Sequence, residues 1–438
     1  MDGSGPPGTG QRMCRLTRTI QVLPTTGAAI HLGPDRRAML ELRPPARGRK
    51  RGGAQRRNMK TQIAFALLAP FLFAEVARAQ FSATPLTDMG TALYLGAFPG
   101  MLYQGSNVSP SDHAADGIGF AAKIRPLDTR GNPASAGKIV VIAIGMSNWT
   151  MEMCGGQPCN SGTFVPTISA APNFNPRVAI VDCAVSGAVT KYWTSDAAQR
   201  PYSTGLYTNC RKLLAKLGYT EAQVQAILWK DVNADPTVSL DSTSVCSPAS
   251  AVDVCRHEYL FGQVARYVRK RYRHLQQMFV HSRIYAGYAT IKLNPEPYVY
   301  EYGFGNKWAI WAQINQMRGS GIDPTAGDLS YSAAPWIDWG PYFWASGATP
   351  RSDGLTWLPA DFDGDGTHPS ASGIRKVVVH DGTVLSEFSD DAVDAQVNGR
   401  FAHADLEGCA WARRIVPAYR TREAIAAASR ITDRERSR

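Results

Sequence analysis

Four short segments of the chain carry groups suited to one kind of chemistry. Gly145-Met146-Ser147-Asn148 places a hydroxyl just beyond the apolar run Lys138–Ile144, behind a glycine that permits a tight turn. Ala184-Val185-Ser186-Gly187-Ala188 follows a second apolar run and offers a glycine backbone N–H. Lys230-Asp231-Val232-Asn233 closes a third run and supplies a side-chain amide. Far downstream, Asp361-Phe362-Asp363-Gly364-Asp365-Gly366-Thr367-His368-Pro369-Ser370 holds an Asp-x-x-His pair. Acyl transfer needs this set: a hydroxyl nucleophile, a histidine base oriented by a carboxylate, and donors for a tetrahedral oxyanion. Strand-ending serines are common, so the order of all four segments carries the reading rather than any one of them.

The acidic loop has a rival reading. Asp361, Asp363, Asp365 and Gly366 match the first, third, fifth and sixth positions of an EF-hand-type calcium loop. The match fails at the twelfth position, where Ser372 stands instead of a bidentate acid, and His368 and Pro369 occupy the middle of the loop. Asp365 is therefore assigned to His368, and neither a metal nor a cofactor is expected.

The elements that must position these residues follow from periodicity. Lys138–Ile144, Arg177–Cys183 and Gln225–Asp231 are short apolar, β-branched runs that predict buried parallel strands, with Phe279–Tyr285 as a fourth. Tyr207–Leu217 predicts a helix. Arg256–Leu275 predicts another, with Leu260, Phe261, Val264, Val268, Tyr272 and Leu275 on one stripe. Alternating strands and helices imply an α/β fold of three layers, αβα, around a doubly wound, mainly parallel sheet. Ligands in such sheets bind beyond the carboxyl ends of the strands, where the first three segments fall; the fourth is a loop far downstream. Residues 285–357 hold 15 of the 42 aromatic residues, and Asn294-Pro295-Glu296-Pro297 and Trp339-Gly340-Pro341 interrupt regular structure there. An aromatic-rich insertion with its own core is expected; the alternative is a platform on which sugar rings stack.

The order Ser147, Gly187, Asn233, then Asp365-Gly366-Thr367-His368-Pro369-Ser370 resembles the SGNH (GDSL-type) hydrolases. The resemblance spans roughly 138–375, and Leu86–Lys138 is similar to a secreted branch whose nucleophile block reads I-G-M-S-N. It implies a flavodoxin-like fold, Ser147 as nucleophile, His368 as general base and Asp365 as its orienting partner. The backbone N–H groups of Ser147 and Gly187 and the side chain of Asn233 would form the oxyanion hole. Met146 stands where the family usually has Asp, and Asp231 where its G-x-N-D block has glycine. The family also continues into a packed terminal helix, a pattern that Asp381-Gly382 interrupts here. The implied function is a secreted serine esterase acting on carboxylic esters of small molecules or carbohydrate. The alternative is a non-catalytic secreted glycan-binding protein on the same fold.

Charge and composition set the organisation. The net charge of +11 sits at the ends: residues 1–58 carry 12 Lys/Arg against 3 acids, and residues 409–438 carry 8 against 3. The remaining 59–408 have 27 bases and 30 acids, which argues against a nucleic-acid partner for the folded body. Residues 1–58 are Gly/Pro/Arg-rich with no apolar period and read as a disordered or non-native extension. Met59-Lys60, the apolar run Ile63–Phe73 and Ala77-Arg78-Ala79 have the layout of a signal peptide over 59–79. That run is too short to span a bilayer, which takes about 20 residues. Translation from Met59, a mature start near Gln80, a hydrolase-like domain over 80–388 and a basic tail over 389–438 are expected. The mature protein is then secreted or periplasmic, with no membrane span; its oligomeric state stays open. Six cysteines fall in this body, and local pairing favours Cys154–Cys159 and Cys246–Cys255, leaving Cys183 with Cys210, although other connectivities remain open. His113, His257, His274 and His281 read as packed or surface residues. Lys230 and Asp231 either shape the site or simply end their strand. The sequon Asn148-Trp149-Thr150 is expected to be unused, because a glycan there would block the nucleophile.

Overall fold

The computed structural model describes residues 81–171, 174–199 and 201–387. The basic extension, the signal-peptide segment and the tail beyond 387 lie outside the described residues.

A two-strand antiparallel ribbon comes first, β1 (Leu93–Tyr94) with β2 (Phe98–Pro99), followed by helix α1 (Ser111–Ala121). The three apolar runs then form β3 (Ile139–Gly145), β4 (Val178–Asp182) and β5 (Val224–Lys230). With β6 (Gln277–Val280) and β7 (Trp336–Trp339) they make one parallel sheet of five strands in the order β4-β3-β5-β6-β7. Numbered within the sheet, this is the 2-1-3-4-5 order of flavodoxin-like folds. Every residue of β3 and β5 is buried, as apolar strands covered on both faces require. Alternate residues serve opposite faces. Val141, Ala143 and Leu228 meet α2 (Ser147–Met153), α3 (Phe164–Ser169) and α7 (Ala371–Glu387) through Trp149, Phe164, Ile168 and Val377. Val140, Ile142, Ile144 and Ile227 meet α4 (Leu206–Lys216), α5 (Asp253–Arg271) and α6 (Tyr298–Met317) through Leu214, Phe261, Val264 and Ile310. The fold is a three-layer α/β sandwich.

Four details differ from the expectations. The fourth strand covers Gln277–Val280, not Phe279–Tyr285. After His281, whose N–H donates to Trp229 O, the chain leaves the sheet and Ser282 N–H turns to Pro341 O. The stripe of α5 ends at Arg271; Tyr272 and Leu275 lie beyond it, yet both are buried. The aromatic-rich stretch supplies α6 and the edge strand β7, and its Tyr300, Phe343, Trp344 and Trp357 join the same core as the sheet. Helix α7 continues through Asp381-Gly382, because Asp381 is buried against His281, 3.5 Å from its Nε2.

The three disulfides are Cys154–Cys159, Cys183–Cys210 and Cys246–Cys255, the pairing expected from locality. Cys183–Cys210 ties the end of β4 to α4; closing its loop restricts the unfolded chain and stabilises by about 3.5 kcal/mol. No helix among the described residues is long and apolar enough to cross a membrane.

Candidate active site

The sheet order reverses between β3 and β5, and the crevice at such a switch point is where doubly wound sheets bind ligands. Ser147 lies there as the first residue of α2, directly after the strand end. The turn needs Gly145: a Cβ at that position would sit 2.1 Å from Lys230 O. Trp149 Nε1–H donates to Leu228 O (3.1 Å), holding α2 against β5. Asn148 Nδ2 donates to Thr367 O (3.0 Å), linking α2 to the loop that carries His368. Asn148 is only 1% exposed, so the sequon amide is committed to the fold rather than presented to solvent.

The acidic loop is shaped by Gly366, whose φ of +65° suits glycine and whose place a Cβ would close at 1.9 Å from Tyr288 O. Asp365 Oδ1 accepts the backbone N–H groups of Thr367 and His368, each at 2.9 Å. Its Oδ2 lies 2.5 Å from His368 Nδ1, and His368 Nε2 lies 2.8 Å from Ser147 Oγ. Burial pushes the Asp365 carboxyl up, but hydrogen bonds from the His368 backbone, the imidazole and the Thr367 backbone outweigh it and hold it below the usual carboxylate range. An ionised carboxylate only accepts, so Nδ1 carries the ring proton and Nε2 is free to accept from Ser147 Oγ–H. Asp361 points elsewhere: it accepts from Leu358 N–H (2.8 Å) and Ser372 Oγ–H (2.7 Å) and pairs with Lys376. The three acids of the loop therefore do not converge as calcium ligands. Among the described residues, no group of three or more His, Cys, Asp or Glu side chains is arranged to hold a metal ion.

Gly187 lies in the loop after β4, with a φ of +76° that favours glycine. That loop is held beside the Gly145–Ser147 turn by Val185 N–H donating to Gly145 O (3.0 Å), and its Ser186 O accepts from Tyr202 OH (2.9 Å). Asn233 lies three residues beyond β5. Its Nδ2 donates to Asp253 O across 3.4 Å, and its backbone carbonyl accepts from Asn294 Nδ2 at 2.8 Å. Ser147, His368 and Asp365 are thus joined by direct contacts, whereas the side-chain contact of Asn233 runs to Asp253.

Several groups behind the serine were missed or left undecided by sequence reasoning. Lys230 turns inward and its Nζ meets Glu152 at 2.5 Å, both side chains 0% exposed. Burial pulls Lys230 down to about 8, against the opposing pull of Glu152. Asp231 is also buried; Oδ1 accepts Val232 N–H (2.8 Å), and burial pushes its carboxyl well above the usual range. Arg283 donates to Met146 Sδ (3.1 Å), so the residue before Ser147 is held by a contact from beyond β6. Glu152 stands as the lone charged residue in the otherwise uncharged stretch Ser147–Met153, which was the signal available in the sequence. His113, His257 and His281 are buried: His113 Nε2 contacts Ile337 O, and His257 Nε2 contacts Asn306 Oδ1, both at 2.9 Å.

No family model matches the chain, and no curated protein matches it. Among solved structures, the chain is similar to a carbohydrate esterase described as having divergent catalytic and non-catalytic binding functions, at 12% identity and a TM-score of 0.32. That likeness covers 59% of this chain and 68% of the other. A protein from Arabidopsis thaliana is similar at 11% identity and a TM-score of 0.26, over 55% of this chain and 98% of the other. Likenesses this distant identify neither a family nor an activity.

Proposed function

We propose that this chain is a secreted serine esterase of the SGNH (GDSL-type) class that hydrolyses carboxylic esters, including acyl groups on carbohydrate, through Ser147, His368 and Asp365. The observation that carries the reading is the continuous contact from Asp365 Oδ2 through both nitrogens of His368 to Ser147 Oγ, at 2.5 and 2.8 Å. Ser147 Oγ attacks the ester carbonyl carbon while its proton passes to His368 Nε2. The tetrahedral oxyanion is met by the backbone N–H groups of Ser147 and Gly187 and by the Asn233 amide, after its long contact to Asp253 is released. Collapse expels the alcohol, which takes the proton from His368, and leaves Ser147 acylated. Water then enters by the same route and gives a proton to His368 as its oxygen attacks the acyl carbon. Collapse breaks the bond to Ser147 Oγ, which takes that proton back from His368, and the acid is released. No metal or cofactor takes part in these steps.

Export supports this reading through the signal layout of 59–79 and the three disulfides, which suit an oxidising compartment. N-terminal sequencing of secreted protein should find a start near Gln80. The decisive experiment is labelling with a fluorophosphonate followed by peptide mapping: Ser147 should carry the adduct, and p-nitrophenyl acetate or acetylated xylan should be hydrolysed equally well with and without EDTA. A protein that binds glycan but takes no label at Ser147 would be the non-catalytic binder instead.

A further inference from the structure

Helix α2 is only seven residues long, too short to hold its own shape or direction without tertiary contacts. Its placement decides where Ser147 Oγ sits relative to His368, since Ser147 is its first residue. Three side chains of α2 reach across to fixed structure. Asn148 reaches the His368 loop, Trp149 reaches the main chain of β5, and Glu152 reaches Lys230. The last contact differs in kind, because it is a fully buried pair of opposite charges at 2.5 Å.

Lys230 is also the residue that β3 packs against at the turn. It is the register partner of Gly145, and its carbonyl oxygen occupies the space that any Cβ at Gly145 would need. One residue therefore fixes both sides of the nucleophile: its main chain abuts the glycine before Ser147, and its side chain grips the far end of the helix that Ser147 begins. The ammonium is caged as well, 4.4 Å from the centre of the Phe343 ring and 5.2 Å from that of Trp149. Glu152 Oε1 has no partner among the described residues, so the grip on Glu152 runs through Oε2 alone. Burying such a pair brings little net stability compared with apolar side chains of similar size. A role in fold stability alone is thus a poor account of it.

We infer that Lys230 and Glu152 form a positioning pair that sets the angle of α2 and so places Ser147 Oγ within reach of His368 Nε2. The inference rests on the serine-esterase reading of the site. Glu152 lies about 4.5 Å along the helix axis from Trp149 and Ser147 about 3 Å on its other side, so a shift of about 1 Å at Glu152 turns α2 by roughly 13° and moves Ser147 by about 0.7 Å. With Trp149 pinned between them, that tilt is passed to Ser147. Misplacing a reacting group by about 1 Å costs on the order of 100-fold in rate.

The test uses the full secreted chain carrying Lys230→Met with Glu152→Leu, which replaces the charges by apolar groups of similar volume. Melting temperature, kcat and KM for p-nitrophenyl acetate, and the rate of fluorophosphonate labelling are measured together. The expected result is a melting temperature equal to or above that of the wild type, KM unchanged, and kcat and labelling rate each lower by about 10- to 100-fold. A folded double variant with wild-type kcat overturns the inference. Should that variant not fold, Lys230→Arg with Glu152→Asp keeps both charges but shortens the arm on α2 by one methylene. It is expected to lose about 3- to 10-fold in kcat at unchanged KM, and wild-type kcat again overturns the inference. The two failures are distinguishable: a wild-type protein that takes no label at Ser147 defeats the esterase reading, whereas equal labelling of wild type and double variant defeats only the positioning role.

Discussion

Replacing Asp365 by asparagine separates geometry from chemistry at this site, because the carboxylate has two distinct duties. Oδ1 accepts two backbone N–H groups, from Thr367 and His368, and Oδ2 accepts the Nδ1–H of the imidazole. Asparagine has one accepting oxygen and one donating NH2. Placing the NH2 toward the two backbone donors would leave both without an acceptor and set donor against donor. The oxygen therefore keeps the backbone side, and the NH2 faces His368 Nδ1. The imidazole must then accept at Nδ1 and carry its proton on Nε2, where it can no longer take the proton of Ser147 Oγ. The loop stays folded while the base is held in the wrong tautomer. The expected loss in kcat is about 10⁴-fold, equivalent to about 5.5 kcal/mol of transition-state stabilisation. Steady-state kinetics on p-nitrophenyl acetate measure it, with the melting temperature recorded alongside to show that the loop survives. An Asp365→Asn variant within tenfold of wild-type kcat would refute the assignment of Asp365 as the partner that orients His368.

Ser147→Ala and His368→Ala are each expected to be nearly inactive and their combination hardly worse, since the residues act as a unit; losses that multiply would show two independent contributions. Asn233→Ala should lower kcat by about 10²–10³ with little change in KM if the amide leaves Asp253 for the oxyanion, and an unchanged kcat would limit Asn233 to its structural contact. Stability should fall as pH rises from 6.5 to 8. Burial pushes Glu296 and Glu301 up to about 7 and Glu258 to about 8, so each keeps its proton in the folded protein after the unfolded chain has released it. Their contribution is whole below about 4.5 and is lost as pH climbs through those values. His257, pulled down to about 4 by burial, opposes this while the unfolded imidazole still takes up protons, and Lys230 and Lys307, pulled down to about 8, oppose it toward pH 8; Asp182, pushed up to about 8 by burial, adds to the loss. The net loss across the window is on the order of 3 kcal/mol, visible as a lower melting temperature at pH 8; a flat or rising melting temperature would contradict it.

Much of the site could be read from local pattern. A glycine before a serine at the end of an apolar run, and an aspartate three residues before a histidine, are constraints of turn and loop geometry that span a few positions. The contact from Ser147 to His368 joins residues 221 positions apart; Ser147 follows a strand read from the sequence, whereas the His368 loop follows none, and only the fold brings it to the sheet end. Cysteine pairing followed from short separations. The strands β3, β4 and β5 were legible because burial on both faces demands apolar side chains at most positions, with Asp182, Gln225 and Lys230 as the buried polar exceptions.

Tertiary structure alone decided the rest. β7 reads Trp-Ile-Asp-Trp, and a buried aspartate in a strand argues against a core element until its partners are known. Asp338 accepts from Tyr103 OH and from Ser109 Oγ at 3.0 Å, both supplied more than 200 residues upstream. The aromatic stretch reads in the sequence as an insertion with its own core, but α6 has fourteen buried residues and packs within the main core, and a helix enclosed all round leaves no periodic signature in the sequence. Asp381 could remain inside α7 because His281 meets it, and Met146 is held at the turn by Arg283, which reaches its sulfur. Lys230 and Glu152 show the same limit most directly. Sequence assigns each a charge, but whether that charge faces water or a partner depends on what the fold packs against it, and the cost of burial makes the partner, not the residue, the deciding term.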